Sequence, residues 1–74
     1  MSKVRSLKSG EMIRALEKLG FQHIRQSGSH AVYRHHDGRW ATVSIHKGKE
    51  ISKGLVHKIL RDAQLTWEEL EQYL

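Results

Sequence analysis

Apolar residues in the first third of the chain recur at Met12, Ile13, Leu16 and Leu19, a three-and-four spacing that puts them on one helical face. Ser9 is placed to cap this helix and Gly20 to end it. From Phe21 the period shortens, and Phe21 to Ser27, His30 to His35 and Trp40 to Ile45 read as three strands. Gly28-Ser29 joins the first pair, and Asp37-Gly38 is a two-residue type I′ hairpin signal for the second. A two-residue turn there predicts a register: Arg34 opposite Ala41, Val32 opposite Val43, His30 opposite Ile45, Tyr33 opposite Thr42 and His35 opposite Trp40. In that register Val32, Ala41, Val43 and Ile45 face the helices, while Tyr33, Trp40 and Thr42 lie on the open side. His30 has the parity of the core but sits at a strand end.

After the loop from His46 to Ile51, Ser52 can cap a second helix whose stripe is Leu55, Val56, Ile59, Leu60 and Ala63. Thr66-Trp67-Glu68-Glu69 has a capping-box pattern, predicting a short terminal helix to about Leu74. The expected fold is therefore α+β: a helix, a three-stranded antiparallel sheet, a second helix on the same face and a short C-terminal helix. With no repeat, linker or low-complexity tract, residues 1–74 are expected to form a single domain.

Size and composition narrow the chemistry. A chain of 74 residues buries only about 60% of its unfolded surface, so one thin core must carry the stability. Cysteine is absent, which removes both a disulfide framework and a thiolate metal site. The basic start Met1-Ser2-Lys3-Val4-Arg5 leads into no apolar run of signal-peptide or membrane-spanning length, so a soluble, cytoplasmic protein is expected. A formal net charge of +5 favours a polyanionic partner such as nucleic acid, though charge of this size also serves solubility alone.

The tripeptide Gly28-Ser29-His30 sets one imidazole at a strand entrance. Histidine suits proton transfer near neutral pH, because its unperturbed pKa is near 6.5. RNA carries its own nucleophile, the 2′-hydroxyl, so a held but wet imidazole can act as base with no metal or cofactor required. Ser29 can hydrogen-bond locally or touch phosphate. Lys47, Lys49 and Lys53 approach the start of the second helix, where backbone N–H groups favour anions and a phosphate cradle is expected. Arg25 and Arg34 are either phosphate contacts or solvated charges. In the predicted register His46 comes within about 5 to 10 Å of His30. It then supplies the acid, holds the scissile phosphate, or is simply a loop histidine. Tyr33 and Trp40 can stack bases or meet a protein partner. His35-His36 is a poor chelating pair, since adjacent strand residues point to opposite faces.

Several segments together resemble the HicA (YcfA-like) toxins: Ser9-Gly10-Glu11, Leu19-Gly20-Phe21, Arg25-Gln26-Ser27-Gly28-Ser29-His30, Tyr33-Arg34-His35, Asp37-Gly38, Val43-Ser44-Ile45-His46 and Ile59-Leu60. The resemblance implies a fold like the double-stranded-RNA-binding domain, ribonuclease activity on messenger RNA, His30 as the catalytic residue and a HicB-type antitoxin partner. The expected enzyme is a metal-independent endoribonuclease, toxin of a type II toxin–antitoxin system. The residue reading leaves two rivals: a non-catalytic RNA-binding module of the same fold, and an adaptor that meets only a protein.

Overall fold

In the computed structural model, which describes residues 3–74, a two-residue strand β1 (Leu7–Lys8) runs directly into helix α1 (Ser9–Lys18). The helix begins one residue earlier than the Ser9 cap predicts. Lys8 is the capping residue, and its backbone N–H donates to Glu11 Oε1 at 3.0 Å. An acid at the third helical position supplies this acceptor whatever side chain precedes the helix, so Ser9 is free to enter the first turn. Met12, Ala15 and Leu16 are buried on one side, and the chain leaves the helix through Leu19 and Gly20.

Strands β2 (Phe21–Ser27), β3 (His30–His35) and β4 (Trp40–Ser44) form an antiparallel sheet in the order β2-β3-β4. The sheet departs from the sequence reading in its register. His30 lies opposite Ser44, Ala31 opposite Val43, Val32 opposite Thr42, Tyr33 opposite Ala41 and Arg34 opposite Trp40. The cause is the turn. Gly38 N–H donates to the His35 carbonyl at 2.9 Å, His35 N–H donates to the Arg39 carbonyl at 2.9 Å, and Gly38 alone of the turn residues takes a positive φ, +99°. This is a three-residue loop, a β-turn followed by a left-handed glycine, and not the two-residue type I′ turn that Asp37-Gly38 suggests. The extra residue slides β3 by one position, which exchanges its faces while β4 keeps its own.

Ala31, Tyr33, Ala41 and Val43 consequently face the helices, and Val32 leaves the core face although it remains only 8% exposed. Tyr33, expected on the open side, is 4% exposed, and burial followed by the charge of Glu17 raises the pKa of its phenol. It cannot serve as a base-stacking platform. His30 moves the other way, out of core parity and into solvent.

Strand β4 stops at Ser44, and Ile45 instead donates its N–H to the Ser29 carbonyl at 2.7 Å. The chain then reaches β5 (Glu50–Ile51), which pairs antiparallel with β1, Leu7 opposite Ile51 and Lys8 opposite Glu50. Two-residue strands show no alternation, so no sequence period announces this second sheet. Ser52 caps α2 (Lys53–Ala63) by accepting the Leu55 N–H at 3.3 Å, and Val56, Ile59, Leu60 and Ala63 are buried. The helix ends with Gln64 in the left-handed region, φ 55° and ψ 46°.

The expected capping box opens α3 (Trp67–Glu71): Thr66 N–H donates to Glu69 Oε1 at 2.8 Å and Glu69 N–H donates to Thr66 Oγ1 at 3.1 Å. Trp67 and Leu70 from this short helix join Leu7, Met12, Leu16, Phe21, Val43 and Val56 in one core. Each such fully buried large side chain contributes about 1.5–3 kcal/mol. Helix, three-stranded antiparallel sheet, helix and short C-terminal helix thus form the α+β arrangement the sequence predicts. No helix among the described residues is long and apolar enough to cross a membrane.

Candidate functional site

Directly paired residues of neighbouring strands project to the same face, so the sheet register determines which side chains share the open surface. Three rows lie there: Gln22, Arg34 and Trp40; Arg25, Val32 and Thr42; Ser27, His30 and Ser44. A bulge at Ile24, between His23 and Arg25, is what brings Arg25 onto this side. His30 is exposed, and Arg25 and Arg34 are exposed on the same face in neighbouring rows. The Arg34 guanidinium lies 5.3 Å from the Trp40 ring centroid, and Trp40 is 45% exposed. One imidazole, two guanidiniums and one indole therefore share a solvent-facing surface.

The turn before His30 is held by backbone groups. Gln26 Nε2 donates to the Gly28 carbonyl at 3.0 Å, and the Ser29 carbonyl takes the Ile45 N–H. Ser29 thereby ties the β2–β3 turn to the end of β4, which steadies the strand entrance carrying His30. Beside it, His30, Thr42 and Ser44 form one wall of a cleft of about 170 Å³, and Leu55, Lys58, Ile59 and Asp62 of α2 form the other. Lys58 Nζ lies 3.0 Å from Asp62 Oδ2. The sequence reading singled out neither Lys58 nor Asp62. The available signal was the stripe 55, 58, 59, 62, one step round the helix from the buried stripe 56, 59, 60, 63.

The lysine-rich loop goes elsewhere. His46, Lys47 and Lys49 line a separate cavity of about 430 Å³ with Lys8, Ser9, Gly48 and Glu50. The β1–β5 pairing brings this loop to the entrance of α1 just before the chain enters α2 through Ser52. Lys53 is the exposed first residue of α2 and lines neither cavity. His46 lines the loop cavity and His30 the cleft against α2, while the Ile45–Ser29 hydrogen bond carries the β3–β4 pairing one residue past His30.

A second imidazole is used structurally. His35 Nδ1 lies 3.0 Å from Asp37 Oδ1 and 3.2 Å from the Asp37 backbone nitrogen. Neutral, it can accept that N–H; protonated, it can donate to the carboxylate. Its ring meets Phe21 edge-on at 5.2 Å, and a Cβ on Gly20 would come within 2.8 Å of its Nε2. His36 stacks on it with centroids 4.3 Å apart. Among the described residues, no three His, Cys, Asp or Glu side chains converge in a way that could hold a metal ion.

Comparison with known proteins adds one finding to this geometry. The family model described as the HicA toxin of bacterial toxin–antitoxin systems matches residues 9–65, the stretch from the first turn of α1 through Leu65. Among curated proteins there is no significant match.

Proposed function

The chain belongs to the HicA toxin family of bacterial toxin–antitoxin systems, and from that membership we propose that it is an endoribonuclease acting on messenger RNA, with His30 as general base. The observation that carries the reading is the shared face: an exposed His30 with exposed Arg25 one row away and exposed Arg34 and Trp40 in the row beyond it. RNA laid across the open sheet has its backbone phosphates paired with the two guanidiniums, whose forked donors suit phosphate oxygens. Trp40 offers a π-face to one base.

At the scissile linkage His30 takes the proton of the ribose 2′-hydroxyl while the 2′-oxygen attacks the adjacent phosphorus. The bond from phosphorus to the 5′-oxygen breaks, that oxygen leaves and is protonated from solvent, and the imidazolium returns its proton to water. The products are a 2′,3′-cyclic phosphate and a 5′-hydroxyl. Because the nucleophile belongs to the substrate, the protein's task is to position it, to move one proton and to balance the charge gathering on the phosphate oxygens. Ser29 contributes by holding the strand entrance, whereas Lys47, Lys49, Lys53 and His46 add an electrostatic surface for the same polyanion.

Cleavage of a labelled RNA by purified protein in excess chelator is the direct test. Wild type should yield cyclic-phosphate ends, and His30→Ala should be slower by about a hundred-fold or more, the lower range for a positioned base. The same substitution should relieve growth arrest on induction. Full cleavage by His30→Ala, or cleavage only with added divalent metal, rules the mechanism out. Salt-sensitive RNA binding without any cleavage would identify a non-catalytic RNA-binding module instead.

A further inference from the structure

Among the residues lining the cleft beside His30, the cation comes from α2. We propose that Lys58 grips the scissile phosphate of the RNA, with the Thr42 and Ser44 hydroxyls completing a subsite for a single phosphodiester, and that Asp62 keeps the ammonium in place until RNA arrives. This rests on the ribonuclease reading of His30 and names the group that reading lacks, a charge on the far side of the reacting phosphorus.

The cleft's composition carries the argument. His30, Thr42 and Ser44 stand on one wall and Leu55, Lys58, Ile59 and Asp62 on the other. Its volume of about 170 Å³ is below the roughly 300–1,000 Å³ of pockets that enclose a whole small-molecule ligand, so it suits one linkage of a longer chain. Leu55, 40% exposed, and Ile59 give the α2 wall an apolar floor from which water is easily displaced. The Lys58 side chain is 60% exposed and, among the described residues, tethered only by its 3.0 Å contact to Asp62, so exchanging that carboxylate for a phosphate oxygen disturbs no core packing. An ammonium has three donors on a flexible stem and can follow the phosphate as charge develops on its oxygens. The lysines of the 46–49 loop line another cavity, so Lys58 is the lysine that lines this one.

The test uses the full chain and a fluorescein-labelled single-stranded RNA of mixed sequence. Lys58→Gln should lower kcat/KM by about tenfold or more, the loss expected for one charge-assisted hydrogen bond, and Lys58→Arg should recover most of it. In a His30→Ala background, where binding is read without cleavage, Lys58→Gln should reduce the slope of log K against log salt by about 0.7, one phosphate contact on a single strand. Asp62→Asn should bind RNA at least as tightly as its parent, since it removes an anion from the phosphate's path. Thermal melts of each variant accompany these measurements.

Wild-type cleavage with unchanged kcat/KM and unchanged salt slope in Lys58→Gln overturns this proposal and leaves His30 as base untouched. Equal losses in Lys58→Gln and Asp62→Asn, in step with lowered melting temperatures, reduce the pair to a helix salt bridge and overturn it as well. If wild type does not cleave at all, the ribonuclease reading falls; the salt slope still decides whether Lys58 holds a phosphate, and an unchanged slope overturns that too.

Discussion

Arg39 Nε donates to Asp37 Oδ2 at 2.8 Å, its backbone N–H donates to Asp37 Oδ1 at 3.1 Å, and Nη1 donates to the Ala63 carbonyl at 3.2 Å. One side chain thus ties the β3–β4 turn to the last turn of α2, where free carbonyls need a donor. Burial opposes ionisation of Asp37, but the hydrogen bonds and charge of Arg39, together with His35, outweigh it and hold the carboxyl below its ordinary 3.8. Glu69 is likewise held below 4.5 by the Thr66 backbone N–H and hydroxyl. Both carboxylates ionise more readily in the folded chain than in the unfolded one. Their stabilising contribution is therefore complete above those ordinary values and is lost as pH falls through the lower folded ones. Urea midpoints followed from about pH 5 to about pH 2 should decline more gently in Asp37→Asn and Glu69→Gln than in wild type. Parallel declines in all three proteins would remove these two groups from the account of acid unfolding.

At the scale of elements, the ends were less legible than the bodies. The apolar periods at residues 12–19 and 55–63 locate both long helices because burying a stripe demands that spacing. The β3–β4 turn defeated the same reasoning: Asp-Gly is compatible with two hairpin loops of different length, and local residues do not choose between them. What chose was packing, since the longer loop places Ala31 and Tyr33 in the core and lets Arg39 reach Ala63. The end of α2 carries a cost, because Gln64 occupies the left-handed region that costs a residue with a Cβ about 1–2 kcal/mol. Glycine there forfeits part of the gain through its freer unfolded chain. Gln64→Gly should therefore stabilise the protein by about 0.5–1 kcal/mol, a rise of several degrees in melting temperature. A lower melting temperature would mean that the Gln64 side chain makes a contribution its backbone does not reveal.

For the whole molecule, the sheet divides the chain's tasks. One face packs against α1 and α2, with α3 packed on α1, around Phe21, Leu16 and Val56; the other carries Arg25, Arg34 and Trp40 in solvent, with exposed His30 also lining the cleft against α2. If the chain cuts messages as proposed, a HicB-type antitoxin seated on the open face would cover His30, Arg25 and Arg34 together. Carbethoxylation of His30 should proceed readily in the free protein and be suppressed in the complex. Modification at the same rate in both would show that inhibition works without covering this face. The six histidines were indistinguishable as a composition; position in the sheet separates an exposed His30 from the half-buried His35 beneath Gly20.

Periodicity, caps and the Gly28-Ser29-His30 motif determined the order of elements, the three-stranded sheet, the identity of most core residues and the imidazole worth testing, because each depends on neighbours within a turn or a strand. Tertiary structure alone decided which face His30 and Tyr33 occupy, that Lys47 and Lys49 share a cavity with the start of α1, and that Lys58 lines one cleft with His30. These depend on register and on pairing between distant segments such as β1 and β5, where a shift of one residue inverts a strand and no local pattern records the choice.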